Sequence, residues 1–189
     1  MQVWILPALM GLGLAAATGL RTFLPLLLLA AVARLGLFGV SINPHVAWLG
    51  STGALVALGV ATVVELVGDK VPMVDHALSA LGTVTRPLAG VLAAGAVFSH
   101  ADPAMAAVAG LIIGAPTALA FHAAQSGTRV VSTTTTAGLG NPIVSVFEDV
   151  ASATLSFLAF LAPLLAAVVV AALLFVGFRS WAALRRRAS

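Results

Sequence analysis

The chain has 189 residues, of which 61% are hydrophobic and only 8% charged, against roughly 45–50% and about 25% in ordinary soluble domains. A soluble fold has too little interior for that much apolar surface. The apolar runs are continuous rather than alternating, so the expected class is all-α, a polytopic transmembrane helical bundle and not a barrel. The net charge of +3 and the pI near 11.2 owe much to Arg185, Arg186 and Arg187 at the C-terminus. Such a cluster reads as a topology anchor against anionic lipid, and nucleic-acid binding is excluded. With no cysteine, disulfides, thiolate metal sites and thiol catalysis fall away. The N-terminus lacks a basic region before its apolar run, so a cleaved signal peptide is not expected.

In chain order, apolar segments run from Val3 to Thr18 and from Thr22 to Leu37. Joined, they would make about 35 residues and ~50 Å, too long for a hydrocarbon core of about 30 Å, so a break is placed between Gly19 and Pro25. A weakly polar connection with Asn43, Pro44, His45 and Trp48 leads to a third segment, Leu49 to Val67. The stretch from Glu65 to Pro87 then holds Glu65, Asp69 and Asp75, half of the six acidic residues, together with Lys70, His76 and Arg86. Val74, Leu78 and Leu81 lie opposite Asp75, His76 and Ser79, which predicts a short amphipathic helix over 72–84, either interfacial or re-entrant. Arg86-Pro87 reads as the start of a fourth segment, which ends at the turn from Ser99 to Pro103.

The fifth segment runs from Ala104 to Ala124. The following SGTRVVSTTTTAGLGNP is rich in β-branched hydroxyl residues and glycine, so irregular backbone is expected, as a polar lining or a plain loop. Pro142 opens a last tract reaching Trp181, with a break at Pro163. The count is six to seven apolar segments, several short or broken, in one integral membrane domain spanning 1–189. Its polar elements are 65–87 and 125–149, and its basic tail is 179–189.

With the C-terminal arginines in the cytoplasm, seven crossings bring every basic residue except Arg34 to that side. The expected setting is a bacterial inner membrane with the lipid bilayer as partner. Three Gly-x-basic triplets, ending at Arg21, Lys70 and Arg129, suggest an internal repeat like those of transporters built from broken helices. Gly11 with Gly13, Gly90 with Ala94, and Gly110 with Gly114 predict tight helix packing, within the chain or in a homo-oligomer.

The residues that can carry chemistry are few. Glu65 and Asp69, four apart, share a helix face about 6 Å apart, which suits a cation or proton site but also a structural ion pair. Asp75 and His76 suit a proton shuttle or a plain surface pair. Asn141, Ser145, Glu148 and Ser152 form a polar stripe, with Asp149 beside it, and such a stripe must face protein or water. Its expected cation is Arg86, Arg129 or Arg21, and Arg86 is expected beside an acid. Gly138 and Gly140 lack the strand and lysine of a phosphate-binding loop.

The motifs GLRTFLP, VELVGDKVPMVDHALSALGTVTRPLAG and GLGNPIVSVFEDVAS resemble those of a family of small integral membrane proteins known as domain of unknown function 4126, over nearly the whole chain. The resemblance implies one membrane domain and marks Arg21, Glu65, Asp69, Lys70, Asp75, Arg86, Asn141, Pro142, Glu148 and Asp149 as its characteristic residues. It implies no activity. The residues, with Arg129, point first to a transporter or channel for an ion or small polar solute, without a cofactor. A non-catalytic scaffold is the second reading. The third is a lipid-handling protein or membrane enzyme, with Asp69, Asp75, Glu148 and Asp149 on a divalent cation and Lys70, Arg86 and Arg129 on a phosphate headgroup.

Overall fold

The computed structural model describes residues 2–188, with side chains at all of these except 2, 3, 72, 73, 76, 181 and 183–188. The described residues are helical nearly throughout: α1 (Gln2–Leu20), α2 (Leu24–Leu35), α3 (Thr52–Gly68), α4 (Pro72–Ala96), α5 (Pro103–Ala109), α6 (Ala115–Thr136), α7 (Asn141–Leu161) and α8 (Pro163–Ala188). A π-helical turn, Gly110–Gly114, joins α5 to α6, and 3₁₀ turns at Leu37–Gly39 and Pro44–Gly50 join α2 to α3. By length and apolarity four stretches can cross a membrane: Ala77–Ala96, Pro103–Thr136, Asn141–Leu161 and Pro163–Ser180. A fifth is the bent pair Pro44–Gly50 and Thr52–Gly68, while Trp4–Leu20 and Leu24–Leu35 are shorter apolar helices. The architecture is thus compatible with a membrane protein of four to five candidate spans, fewer than six or seven full crossings. The exposed surface is correspondingly greasy, with Val56, Val60, Val63, Val64 and Val67 of α3 each more than half exposed.

Successive helices alternate in direction between two ends of the bundle. Trp4 at the start of α1 packs on Phe98 just beyond α4. Asn43, past α2, donates its backbone N–H to Ala96 and its amide to Phe98 and Ala101. Hence α1 and α2 form an antiparallel pair that enters from one end, turns at residues 21–23, and returns to the same end. The main apolar core lies there, with Leu14, Leu29, Leu49, Ala93 and Ala159 fully buried. Ends are marked by local chemistry: Gly36 takes the left-handed conformation after α2, and the Ser51 hydroxyl accepts from the Ala54 amide to start α3. Pro163, whose ring would clash with the carbonyl four residues back, separates α7 from α8 as expected.

Two expected breaks are absent. The helix expected over 72–84 and the one expected to start at Pro87 are a single helix, α4, with Pro87 in its interior, so no separate interfacial or re-entrant helix occurs at 72–84. An interior proline costs about 3 kcal/mol, and the packing of α4 against α1 and α6 along its length outweighs it. The polar stretch after Ala124 is also helical, to Thr136, and only 137–140 form a turn. The hydroxyls that argued against helix are satisfied inside it. Thr128, Thr134, Thr135 and Thr136 each donate to the carbonyl four residues back, a bond that a helix tolerates. One consequence touches the Gly-x-basic triplets: those at Arg21 and Lys70 stand at helix ends, whereas Gly127-Thr128-Arg129 lies inside α6.

A second seam fixes how α4 meets α6. A Cβ on Gly90 would lie 2.7 Å from the Gly114 carbonyl oxygen, and one on Gly95 2.9 Å from that of Ala106. Gly110 and Gly114 are therefore consumed within the chain, backbone against backbone, rather than offered to a second subunit. The π turn ends just before Pro116; a wider turn there relieves the clash between a proline ring and the carbonyl four residues behind it.

Candidate functional site

The break between α1 and α2 leaves helix-end carbonyls and amides without partners in their own helices, and side chains of three other helices supply them. Arg86 of α4 donates to the Gly19 carbonyl at 3.0 Å, and Gln125 of α6 donates to that of Leu20 at 3.3 Å. Glu65 of α3 accepts the Thr22 amide at 2.8 Å and the Phe23 amide at 3.1 Å, one on each carboxylate oxygen. A buried anion at a helix N-terminus is favourable in both hydrogen bonding and dipole. The expected pairing of Glu65 with Asp69 is replaced by separate duties, since Asp69 turns to the arginines.

Arg21 stands in the break and is fully buried. One terminal nitrogen donates to the Ser145 carbonyl at 2.9 Å, the Ser145 hydroxyl at 2.8 Å and Glu148 at 3.3 Å. The other pairs with Asp69, and Nε with Asp149 at 2.5 Å. Arg129 of α6 mirrors it. Its Nε and one terminal nitrogen grip both oxygens of Glu148 at 3.2 and 2.5 Å, the same terminal nitrogen reaches Asp69 at 3.0 Å, and the other pairs with Asp75. Two guanidinium groups thus share Asp69 and Glu148, and Gln125 adds a 2.8 Å bond to Glu148. Lys70 is half-exposed at the rim, 3.5 Å from Asp149.

The two polar elements, 65–87 and 125–149, therefore meet, through Arg129 with Asp69 and Asp75. Five of the six acidic residues of the chain gather in this layer, and only Asp102, which caps α5 through the Ala104 amide, lies elsewhere. The stripe on α7, expected to face protein or water, faces protein: Ser145, Glu148 and Ser152 are buried, and Ser152 donates to the Ala17 carbonyl at 3.0 Å. Asn141 falls outside the layer, its amide donating to Thr133 at 3.0 Å. The side chain of His76 lies outside the described residues.

Arg86 departs from expectation. It is buried, yet no carboxylate lies within ion-pair distance of it among the described residues. Its partners are the Gly19 carbonyl and His122 Nδ1, at 2.9 Å. An arginine can only donate, so Nδ1 accepts, and the imidazole carries its proton on Nε2, 3.4 Å from the Thr83 hydroxyl. Arg86 lies ten residues before the end of α4, ~15 Å along the axis, deeper than the Arg129 network.

Chemically, the layer is a buried array of carboxylates held apart by two arginines, each ion-paired with three of them. A buried charge stripped of its partner costs about 3–5 kcal/mol, so each group restrains the others. Among the described residues no set of three histidine or acidic side chains converges as a metal-holding group; the acids face guanidinium groups instead. Gln125 and His122 were not anticipated from the sequence. The signal was present: His122, Gln125 and Arg129 recur at i, i+3 and i+7 on α6, the spacing of one helix face.

A family model described as Domain of unknown function (DUF4126) matches residues 8–183. No curated protein and no solved structure matches the chain.

Proposed function

The chain belongs to the DUF4126 family, and from that premise we propose that it is a small membrane transporter or channel for an ion or small polar solute, working at the buried charged layer. The observation that carries this reading is the convergence of five carboxylates and three buried arginines on the broken ends of α1 and α2, inside an otherwise apolar bundle. Intramembrane ionisable groups are costly and mark pathways, and broken helices are where transporters build their sites. Arg21, Glu65, Asp69, Lys70, Asp75, Arg86, Arg129, Glu148 and Asp149 form the pathway, with Asn141 at its edge. In this reading the charged end, which holds Arg21, Lys70, Arg86 and Arg129, faces the cytoplasm together with the C-terminus, as the positive-inside rule favours.

The test is flux through proteoliposomes holding the full chain, followed with pH- and ion-sensitive dyes and with radiolabelled solutes. Transport above empty vesicles, falling at least tenfold in folded Glu148→Gln, is the expected outcome. Equal flux with and without the protein across protons, ions and organic solutes sinks it. The ion pairs of Arg21 with Asp69, Glu148 and Asp149 favour a second reading, a non-catalytic scaffold locked by ion pairs. It predicts that exchanging Arg129 and Glu148 between their two positions restores all function along with stability.

A further inference from the structure

The end of the bundle opposite the charged layer carries an arginine that no acid answers. Arg34, in the last turn of α2, is the one basic residue that the expected topology leaves on the outer side. No carboxylate lies within ion-pair distance of it among the described residues. The one acid outside the charged layer, Asp102, is spent on the Ala104 amide. One terminal nitrogen of Arg34 donates to the Gly50 carbonyl at 2.9 Å and to the Thr52 hydroxyl at 3.0 Å, which ties the end of α2 to the start of α3. Its Nε and its other terminal nitrogen have no hydrogen-bond partner among the described residues. Those two nitrogens form the edge of a guanidinium that takes a carboxylate through parallel bonds.

Arg34 lines a cleft of about 480 Å³, a volume within the range of small-molecule sites. The end of α2, the connection after it and the turn that starts α3 make its walls. Ala33, Val40, Ile42 and Ala47 supply the apolar part, and Ser41 and Ser51 the hydroxyls. The walls are held by bonds that involve no ligand. Asn43, buried, donates to the Phe98 and Ala101 carbonyls, and Ser41 donates to Ser99 at 2.9 Å. The Ser51 hydroxyl accepts the Ala54 amide at 3.1 Å. Walls ordered in advance spare a ligand the entropy of ordering them.

We infer that this cleft binds a small organic carboxylate with a short apolar tail, its carboxylate on the free edge of Arg34 and its tail against Ala33, Val40, Ile42 and Ala47. The site lies apart from the charged layer, and the inference does not rest on the transport reading. Three features select the ligand class. A bare inorganic anion would use the guanidinium and leave four apolar side chains without a contact. A neutral molecule of the same shape would leave two guanidinium nitrogens unbonded. A carboxylate with a tail of two or three carbons satisfies both parts of the wall, since the guanidinium fork matches its two oxygens and the apolar side chains remove its methylenes from water.

The experiment is calorimetric titration of the detergent-purified full chain at pH 7 with sodium butyrate, sodium acetate, sodium bromide and 1-butanol, at constant ionic strength. Wild type is expected to bind one butyrate per chain, about tenfold more tightly than acetate for the two further methylenes it buries, and to show no saturable binding of bromide or 1-butanol. Arg34→Gln, eluting as a folded species, is expected to bind butyrate at least tenfold more weakly. Ala33→Leu, which fills the cleft and keeps the guanidinium, is expected to remove the advantage of butyrate over acetate. No saturable butyrate binding by wild type overturns the proposal without reference to any variant. So does butyrate bound equally by folded Arg34→Gln, a preference for butyrate that survives in Ala33→Leu, or bromide bound as tightly as butyrate, which would mark a site for any anion. Butyrate binding with no flux of any solute in proteoliposomes overturns the transport reading and leaves this site standing; flux with no butyrate binding does the reverse.

Discussion

Helix α4 is held in two different ways along its length. Toward Ala96 it touches the π turn through Gly90 and Gly95, backbone to backbone. Toward Pro72 it is held by side chains, Asp75 on Arg129 and Arg86 on Gly19 and His122. The first contact has one geometry, because a Cβ at these positions has no room. The second is a network in which Asp69 and Glu148 each serve two arginines, so each group is positioned by several partners at once. The comparison teaches that the glycine seam is the part fixed by backbone shape and the charged layer the part held by charge.

The largest effect should come from the fixed part. Gly114→Val drives a side chain into the Gly90 backbone, and with no flexible neighbour to yield it is expected to abolish folded protein, read as loss of the monodisperse peak in detergent. Next comes Arg21→Met, which leaves Asp69, Asp75 and Glu148 to share Arg129 alone and Asp149 with only the rim Lys70, so buried negative charge goes uncompensated. A loss of about 3–5 kcal/mol follows for an unpaired buried charge, measured by reversible unfolding in mixed micelles, and replacing Asp69 by Asn in the same chain should recover part of it. A drop under about 1 kcal/mol would mean that the layer is wet and that the contrast with the seam is overstated.

Ser152→Ala removes a single buried bond to Ala17, for an expected cost near 1 kcal/mol. Gly127→Ala sharpens the comparison from the other direction. Nothing lies within 4 Å of the added methyl, so this helical glycine, unlike Gly114, should gain roughly 0.5–1 kcal/mol on substitution. Smallest is Lys70→Ala: a rim cation 42% exposed should change stability by less than about 1 kcal/mol.

Much of this was legible before any coordinates. Composition implied apolar helices, Gly19 to Pro25 and Pro163 marked breaks that the structure keeps, and the Ser145, Glu148, Ser152 spacing called for a face turned to protein or water, of which the structure has protein. The polar helices were misread for local reasons. Pro87 and the four threonines both argue against helix when each residue is weighed by its own propensity, but propensity is worth tenths of a kcal/mol per threonine and about 3 kcal/mol for a proline. Packing along α1 and α6, and hydroxyls that bond to their own helix, exceed those amounts.

The sequence by itself determined which residues carry charge, that they are few, and that an apolar chain must gather them in a small number of places. That follows from solvation alone, since each ionised group needs a partner wherever water is scarce. Which partner it finds is a matter of three-dimensional register. Asp69 and Glu148 lie between Arg21 and Arg129, Glu65 serves two amides instead of a cation, and Arg86 is left with a carbonyl and a histidine. Those assignments depend on how far each helix slides along its neighbour, a distance set for α4 against the α5–α6 segment by glycine contacts at the π turn and for α1 by those of Gly11, Gly13 and Gly19, and no spacing within one helix encodes it.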